Sequence, residues 1–319
     1  MPNTNTTVST AGTTFLNKTY FDRVLLERAK TKLVHASYGQ TRKLPKNGGK
    51  HIEFRRFKEF DPETIANGLT EGVTPEGMEI QQDHIEATIK QYGAYVEVSD
   101  MLKDTAFDDV VEESSEALGD ATGVAVEWVT RDAMNAGTNV QYANGKTARD
   151  AIGEADKLTT VEIRKSVRTL KKNKARRFTG QGKNGHFICI CSPEATYDLQ
   201  DDEMWRDVSK YSNAEQVYAG EIGRLFDVVF IESTEAKVFA GAGSGGADVH
   251  SALVFGQDAY GTIKLEGGGN LETILKPLGS SGAADPLNQR ATVGAKVNGY
   301  AAVILDDAWI VRIEHGATA

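Results

Sequence analysis

The segment from residue 51 to residue 98 constrains the fold most, because it predicts a long two-stranded hairpin with nothing to bury at its centre. Ile52 and Phe54 alternate with polar residues, which is the period of a half-buried strand. The centre, residues 67–77, is rich in turn residues and offers no core positions. A hairpin of this length is only marginally stable alone. Its apolar stripe therefore needs a partner, and another chain is a candidate.

The return strand of this hairpin changes face along its length. Its first apolar face consists of Ile85, Ala87 and Ile89, and its second consists of Tyr92, Ala94, Val96 and Val98. Because strand faces alternate strictly, this slip predicts a bulge or a sharp bend near Gly93. The first fifty residues predict an arm: a polar stretch, a short amphipathic helix over residues 20–36, and a basic loop.

A long helix is predicted over residues 108–136. Its expected apolar stripe is Val111, Leu118, Ala121, Ala125, Trp128 and Met134. Acidic residues crowd its first turns, where the helix dipole favours negative charge. A second helix is predicted to begin at Thr159, where Thr159 and Glu162 have capping-box spacing, and to bury Ile163, Val167 and Leu170.

Two charge runs accompany these helices, an acidic run over residues 104–120 and a basic run over residues 164–177 with eight positive charges. Solvated helix faces are the ordinary interpretation of such runs. Alternatively, the two runs pair across a subunit boundary, as complementary charges commonly do. Contact between the basic run and nucleic acid is a third interpretation, which the acidic excess elsewhere disfavours.

The second half of the chain predicts mainly strands, which makes the fold class α+β. Residues 186–191 are apolar on both faces and predict a fully buried strand. Ser192 and Pro193 then predict a helix start. Further short strands are expected at 225–231, 236–239, 252–255 and 262–265, with a last pair, 290–305 and 308–313, joined by a turn at Asp306-Asp307. We place a domain boundary at residue 185, where the sequence changes from a basic helical pattern to apolar strand-like residues.

Composition narrows the function classes. The 319 residues have a formal net charge of −9, whereas non-specific nucleic-acid binders are rich in Lys and Arg. Two cysteines exclude a disulfide scaffold and fit a reducing compartment. The chain has neither a signal-peptide pattern nor a run of about 18 apolar residues, so we expect a soluble protein that is intracellular when made and does not enter a membrane.

Every chemical motif in the sequence is weak. Gly241, Gly243 and Gly246 match the letters of a dinucleotide fingerprint, but a predicted strand follows them instead of a helix, which favours a flexible loop. Cys189 and Cys191 lack a second cysteine pair or clustered histidines, so small buried side chains are more plausible than a metal site. We therefore expect no catalytic residues, no metal and no cofactor.

Several ordered stretches together resemble one family. They are Leu69–Pro75, Lys90–Asp100, Ala136–Tyr142, Gly220–Phe226, Ala284–Arg290 and Asp307–Glu314. In this order they resemble the major capsid proteins of N-four-like tailed bacteriophages, and the resemblance covers roughly residues 15–315. It implies the Hong Kong 97-type coat fold. On this basis we expect an N-terminal arm (1–50), an extended loop over a neighbouring subunit (51–98), a peripheral domain with a spine helix at 108–136 (99–184), an axial domain (185–270) and a return segment to the peripheral domain (271–319).

The resemblance also implies partners and a place of action. Hexamers and pentamers would tile an icosahedral head around double-stranded DNA, without sequence-specific DNA binding. A separate scaffolding protein and a portal protein are implied, and a decoration protein is a further candidate partner. The protein would act in the virion after assembly in the host bacterial cytoplasm.

The candidate interface residues follow from the hairpin and the charge runs. We predict that Ile85, Ile89 and Tyr92 pack on an adjacent subunit, with Glu71 as a further candidate in the turn-rich centre. Among the charged residues, we expect Lys171, Lys172 and Lys174 to meet an acidic helix bearing Asp108 and Glu112. Two rival functions stay open. A cargo-enclosing nanocompartment shares the fold, and a soluble enzyme would need a convergent polar pocket that the sequence does not show.

Overall fold

The computed structural model describes residues 34–318, except for 46, 58–59, 61, 67, 75–76, 107–109, 180–184, 207–220, 267–270 and 281–284. The arm predicted for residues 1–50 lies mostly outside this range, as does nearly all of its expected helix. Within the described part the fold is α+β, as predicted, with two larger sheets and one two-stranded sheet.

The larger sheet has seven strands in the order β5-β14-β10-β6-β8-β7, with β9 also paired to β10. The strands are β5 (Val140–Tyr142), β6 (Phe187–Cys191), β7 (Glu221–Leu225), β8 (Val228–Glu232), β9 (Val238–Phe239), β10 (Val249–Phe255) and β14 (Ile310–His315). All five residues of β6 are buried, which confirms the predicted buried strand. It runs parallel to β8 and antiparallel to β10, so its backbone is paired on both sides.

Both faces of this sheet are covered. Helix α4 (Thr160–Lys172) contributes Ile163, Val167 and Leu170 to one core together with Phe187 and Val254. Helix α5 (Pro193–Asp201) packs into the same core. The predicted burial of α4 is therefore confirmed, but the helix shares its core with β6. The domain boundary expected at residue 185 stays a prediction.

The smaller sheet is built around the 15-residue strand β13 (Arg290–Ile304). Its other strands are β1 (Gln40–Leu44), β4 (Lys90–Ser99), β11 (Tyr260–Leu265) and β12 (Leu271–Lys276). Strand β13 pairs antiparallel with β4, β11 and β12, and β1 lies parallel to β11. Alternate residues along β13 are buried, as expected for a sheet with one covered face.

Helix α3 (Val110–Met134) covers that face and confirms the predicted long helix over its described residues. The predicted stripe is only partly right, because Ala121 is exposed and Trp128 is 47% exposed. The buried face follows instead Ser115, Leu118, Gly119, Thr122, Gly123, Val126, Glu127, Thr130 and Met134. Small residues on this face let the helix approach β13, whereas the Trp128 indole donates to the Glu235 carboxylate at 2.6 Å outside the core.

The predicted hairpin is present. Strands β2 (His51–Phe57) and β3 (Gln82–Thr88) pair antiparallel from His51 opposite Thr88 to Phe57 opposite Gln82. The chain then leaves this pair at Ile89 and enters the smaller sheet as β4. A register shift between Val297 and Tyr300 lies opposite the start of β4, and Gly299 takes a φ of 75° there. The bulge thus lies in β13 and not, as predicted, in the strand that contains Gly93.

Three local predictions are wrong. The strands at 290–305 and 308–313 exist but do not pair, since β13 belongs to the smaller sheet and β14 to the larger. The single strand expected at 225–231 is two strands joined by a tight turn, in which Phe226 and Asp227 have φ values of 50° and 65°. The capping box does not form, because the Thr159 side chain makes no cap hydrogen bond.

The described chain also has two short helices, α1 (Pro62–Ala66) and α2 (Asp100–Thr105). The predicted start at Ser192 is confirmed for α5, since its hydroxyl accepts from the Ala195 amide at 3.3 Å and Pro193 takes the first position. Among the described residues, no helix is both long and apolar enough to span a membrane.

Candidate functional site

Large apolar side chains lie exposed along the loop between β2 and β3. We call residues 57–81 the apolar loop. Its exposed apolar residues are Phe57, Phe60, Ile65, Leu69, Val73, Met78 and Ile80, with exposures between 41% for Met78 and 80% for Leu69. Scattered exposed apolar residues are normal, but seven within 25 residues of sequence make this loop a candidate interaction surface.

The root of the hairpin differs from the apolar loop because its own chain covers it. Ile52, Phe54 and Ile89 pack against a cluster of Leu44, Ala87, Ile263 and Ala301. Tyr92 packs with Val126, Val297 and Tyr300 under helix α3. The predicted interface residues Ile89 and Tyr92 thus have apolar neighbours within the chain, and Ile85 is half-buried. Among the candidates from the hairpin, only Glu71 lies in the apolar loop, where it is exposed in a turn.

A groove of about 540 Å³ lies beside this root, and we call it the basic groove. Its basic lining residues are Arg42, Lys43, Arg55, Arg56 and Arg176, and its acidic ones are Glu53, Asp258 and Asp306. Its apolar lining residues are Ile52, Phe54, Ile85, Leu305 and Trp309. The guanidinium groups of Arg56 and Arg176 lie 5.1 Å and 5.8 Å from the centre of the Trp309 ring, within the range of cation–π attraction.

The outer face of the smaller sheet carries a second groove, of about 580 Å³, which we call the sheet groove. It is lined by Tyr92, Tyr95 and Ile274, with Glu97, Lys276 and Lys296 as its charged residues. Tyr95 is 68% exposed there. The two grooves therefore differ in charge, since the basic groove has five cations against three anions and the sheet groove has two against one.

Much of the predicted basic run is engaged within the chain. Lys171 and Arg177 lie 3.0 Å and 3.5 Å from Asp227, and the guanidinium of Arg164 lies over the ring of Phe226. These residues of the run therefore have partners within the chain, and its role as a solvated face or as one side of a subunit contact stays a prediction. Lys172 and Lys174 are exposed, and Glu112 is half-buried on α3. Asp108 lies outside the described residues, so its proposed pairing with the lysines stays a prediction.

A buried carboxylate that sequence reasoning missed holds the start of the described chain. Glu127 on α3 is fully buried, and its Oε1 accepts from the backbone amides of Val34 at 3.1 Å and His35 at 2.7 Å. The same oxygen lies 2.5 Å from His35 Nδ1. The Tyr260 hydroxyl donates to the His35 carbonyl. This contact attaches residues 34–35 to the long helix. A glutamate within a helical stretch of small and apolar residues was the available signal.

The weak chemical motifs have structural explanations. Cys189 and Cys191 are free thiols with no exposed surface, and the hydrogen bond between them, together with burial, raises the pKa of Cys189. The glycine motif at 241–246 forms a loop that leads into β10, as its context predicted. Within the part of the chain that the structure describes, no group of three or more His, Cys, Asp or Glu side chains is placed to hold a metal ion.

Known proteins share this architecture. The capsid of Ralstonia phage GP4 is 14% identical and matches 90% of this chain and 89% of its own with a TM-score of 0.68. The capsid subunit of cyanophage Pam1 is 15% identical and matches 99% of each chain with a TM-score of 0.70. A virus-like particle from Pyrococcus furiosus is 10% identical and covers 92% and 98% with a TM-score of 0.51. No curated protein matches the chain.

These structural similarities establish the Hong Kong 97-type coat fold. Residues 129–266 also match the family model described as a phage capsid protein. Together the two findings show that the chain has the fold of phage capsid proteins and matches their family model over part of its length, as the sequence resemblance implied. The finer placement among N-four-like phages stays a prediction.

Proposed function

We propose that this protein is the major coat subunit of a tailed phage, which assembles as hexamers and pentamers into the icosahedral head around double-stranded DNA. The fold is common to phage capsids over nearly the whole chain. The observation that carries the proposal is the apolar loop, whose seven large apolar side chains are exposed in the single chain. A shell provides neighbours that cover such a loop.

The energetics of the loop suit reversible assembly. Full burial of one such side chain is worth about 1.5–3 kcal/mol, and association entropy offsets much of the sum. Each subunit contact is then modest, so misplaced subunits can dissociate during growth. The net charge of −9 fits a wall that encloses DNA without gripping it. We further propose a separate scaffolding protein, a portal protein and a decoration protein as partners, assembly in the host cytoplasm, and a final location in the virion.

Electron microscopy of the protein co-expressed with its scaffolding protein tests the proposal. We expect closed hollow shells from the unsubstituted chain and at least a tenfold loss of shells for Leu69→Asp combined with Val73→Asp. Thr70→Asp is the matched control, because it adds charge to the loop without removing an apolar side chain. A small monodisperse oligomer from the unsubstituted chain under all conditions would contradict the proposal.

The content of the particles separates the proposed head from a cargo-enclosing nanocompartment, the rival that would share this fold. We expect particles from infected cells to hold nuclease-protected DNA of genome length. Particles that contain a single co-purifying enzyme and no DNA would favour the nanocompartment.

A further inference from the structure

We propose that residues 18–33 pack as a helix along the outer side of helix α3 in the same chain. The sequence predicts an amphipathic helix over residues 20–36, and the structure describes the chain from residue 34 onward. The proposal therefore names both an interaction surface and the segment that occupies it. It concerns the single subunit and does not rest on the proposed function.

The receiving surface is a row of residues on α3 that recur at steps of three and four, and we call it the outer stripe. Residues at these steps lie on one side of a helix. The outer stripe consists of Glu113, Glu116, Ala117, Asp120, Ala121 and Val124. Of these, Glu113, Ala117 and Ala121 are exposed, whereas the opposite side of α3 packs against β13. Alanines on an outer face permit a second helix to approach closely, because side-chain size sets the distance between helix axes.

The described chain begins beside this stripe. The backbone amides of Val34 and His35 donate to Oε1 of Glu127, at 3.1 Å and 2.7 Å. Glu127 follows Val124, the last residue of the outer stripe, by less than one helical turn. Residue 33 therefore has to lie close to the stripe, since consecutive Cα atoms are about 3.8 Å apart.

The direction open to the preceding residues runs back along α3 toward Glu113. In the other direction, the Trp128 indole donates to the Glu235 carboxylate at 2.6 Å. The ammonium group of Lys237 lies 3.1 Å from the carboxylate of Asp132. The segment that contains Glu235 and Lys237 thus already crosses the C-terminal part of the helix.

The length of the segment fits the stripe. At about 1.5 Å per residue, the distance along α3 from Glu127 back to Glu113 is about 21 Å, and the predicted helix before residue 34 has about the same length. Val24 lies ten residues before Val34, and Ala117 lies ten residues before Glu127. If the two helices run parallel from the anchored end, Val24 comes level with the exposed Ala117.

Charge complementarity supports the same pairing. Residues 18–33 contain five basic and two acidic residues, a formal charge of +3 within a chain of −9. Residues 110–126 of α3 contain four acidic residues and no basic residue, a formal charge of −4. Opposite charges on two surfaces favour their contact and fix its register.

A buried oxygen at the anchored end also calls for a donor. The side chain of Glu127 is fully buried, and its Oε2 has no hydrogen-bond partner among the described residues. A buried carboxylate oxygen without a donor is costly. Lys30 lies about one helical turn before Val34, so the docked segment would bring its ammonium group near this oxygen.

Crosslinking within the unassembled chain tests the proposal. The chain carries Val24→Cys and Ala117→Cys, and a mixture of isotope-labelled and unlabelled copies is treated with a short bis-maleimide. The native cysteines give little background because both are fully buried. After digestion, we expect mass spectrometry to find residues 24 and 117 linked within copies of one isotope. Val24→Cys with Ala136→Cys is the matched control, because Ala136 is also an exposed alanine but lies beyond the C-terminal end of α3.

Three results would overturn the proposal. They are no link between residues 24 and 117, an equally strong link in the control, and links that join labelled to unlabelled copies as often as copies of one isotope. The last result would place the segment on a neighbouring copy. Because the chain is unassembled in this experiment, each of these results leaves the proposed function intact, and a failure to form shells leaves this test unaffected.

A charge exchange gives a second measurement on the same unassembled chain. Arg23→Glu with Arg28→Glu should release the segment and raise the rate of chymotrypsin cleavage within residues 20–26 about fivefold, because cleavage follows local opening. Adding Glu113→Arg with Glu116→Arg should restore the slow rate. Adding Asp201→Arg with Glu203→Arg is the control, since both residues are exposed and lie outside α3. An unchanged cleavage rate in the first variant, or equal rescue by the control, would also count against the outer stripe.

Discussion

The apolar loop and the rest of the described chain, which we call the body, both place residues against the usual rule. The body buries charged side chains, and the loop exposes apolar ones. In the body, the carboxylates of Glu127 and Glu314 are fully buried. In the loop, Leu69 is 80% exposed. Buried charges are costly unless they are paired, and exposed apolar clusters are costly unless something covers them. The comparison therefore asks whether the buried charges have partners within the chain and whether the exposed apolar side chains have cover.

Both buried carboxylates of the body accept hydrogen bonds from within the chain, and of their four oxygens only Oε2 of Glu127 has no hydrogen-bond partner among the described residues. Arg149 makes two hydrogen bonds to Glu314, at 2.8 Å and 2.6 Å, and Arg312 lies 2.9 Å from the same carboxylate. Glu127 receives its donors from residues 34 and 35. Among the described residues, those of the loop have no comparable cover for their apolar side chains. Under the proposed function, another copy supplies that cover during assembly.

The largest expected effect on stability follows from removing the buried carboxylate of Glu127. Glu127→Ala leaves two backbone amides and the His35 ring without their acceptor, and we expect it to lower the free energy of unfolding by about 3–5 kcal/mol. Glu127→Gln keeps one acceptor oxygen, and we expect it to cost about 1–3 kcal/mol. Urea unfolding of the unassembled chain measures both.

Hydrogen exchange locates the effect. The amides of residues 34–38 should lose protection in Glu127→Ala while those of strand β6 keep theirs relative to global stability. A cost below about 1 kcal/mol for Glu127→Ala would show that this contact does not hold the start of the described chain.

A buried histidine gives the body a pH dependence. Burial, with a smaller contribution from the neighbouring His250, lowers the pKa of His315 to about 4 from an ordinary value of 6.5, against the Gly316 carbonyl and Asp198, which raise it. Below pH 6.5 the unfolded chain binds a proton at this residue that the folded chain does not. Stability contributed by neutral His315 is therefore present above pH 6.5 and is lost as the pH falls from 6.5 to about 4. The difference corresponds to about 3 kcal/mol at most.

Unfolding midpoints at pH 7.0, 5.5 and 4.5 check this prediction. We expect His315→Gln to lose stability less steeply than the unsubstituted chain between pH 7.0 and 4.5. His250→Gln is the control, because His250 stacks on His315 with ring centres 5.9 Å apart and is partly exposed. Parallel curves for the unsubstituted chain and His315→Gln would refute the assignment.

The sequence predicts best where local pattern and final packing agree. The buried strand at 187–191, the cap at Ser192 and the long helix over 110–134 all follow from short-range rules. The face of that helix was predicted less well. Hydrophobicity pointed to Trp128, whereas close approach to β13 selected small residues. Contact with β13 determines which face of α3 is buried. Because β13 is distant in the sequence, the periodicity of the helix alone cannot predict that face.

The same limit applies to the candidate site. Turn-rich composition at residues 67–77 predicted a segment without core positions, and its described residues are exposed. That another chain covers this segment stays a prediction. Composition did not separate the covered root of the hairpin from the exposed loop, because Ile89 and Leu69 are equally apolar in sequence. Only the strands β1, β11 and β13, distant in the chain, cover Ile89. The basic groove is assembled from equally distant residues, so its charge could not be read from any one segment.

In a matched pair of leucines, the substitution in the loop has the smallest expected effect on stability, and the pair gives the sharpest test of the comparison. Leu253 in β10 is 1% exposed, and Leu253→Ala should cost about 2–5 kcal/mol. Leu69→Ala removes the same atoms from an exposed position, so the free energy of unfolding of the unassembled chain should change by less than about 0.5 kcal/mol. Calorimetric and urea unfolding of the two variants, measured beside their shell yields, provide the comparison.

We expect Leu69→Ala to reduce shell formation although it leaves the subunit stable, because the lost contact is one made with the neighbouring subunit. If Leu69→Ala instead destabilised the isolated subunit by more than about 1 kcal/mol, the loop would already be packed within its own chain. The proposal that the body packs within its own chain while the loop packs against another copy would then be wrong.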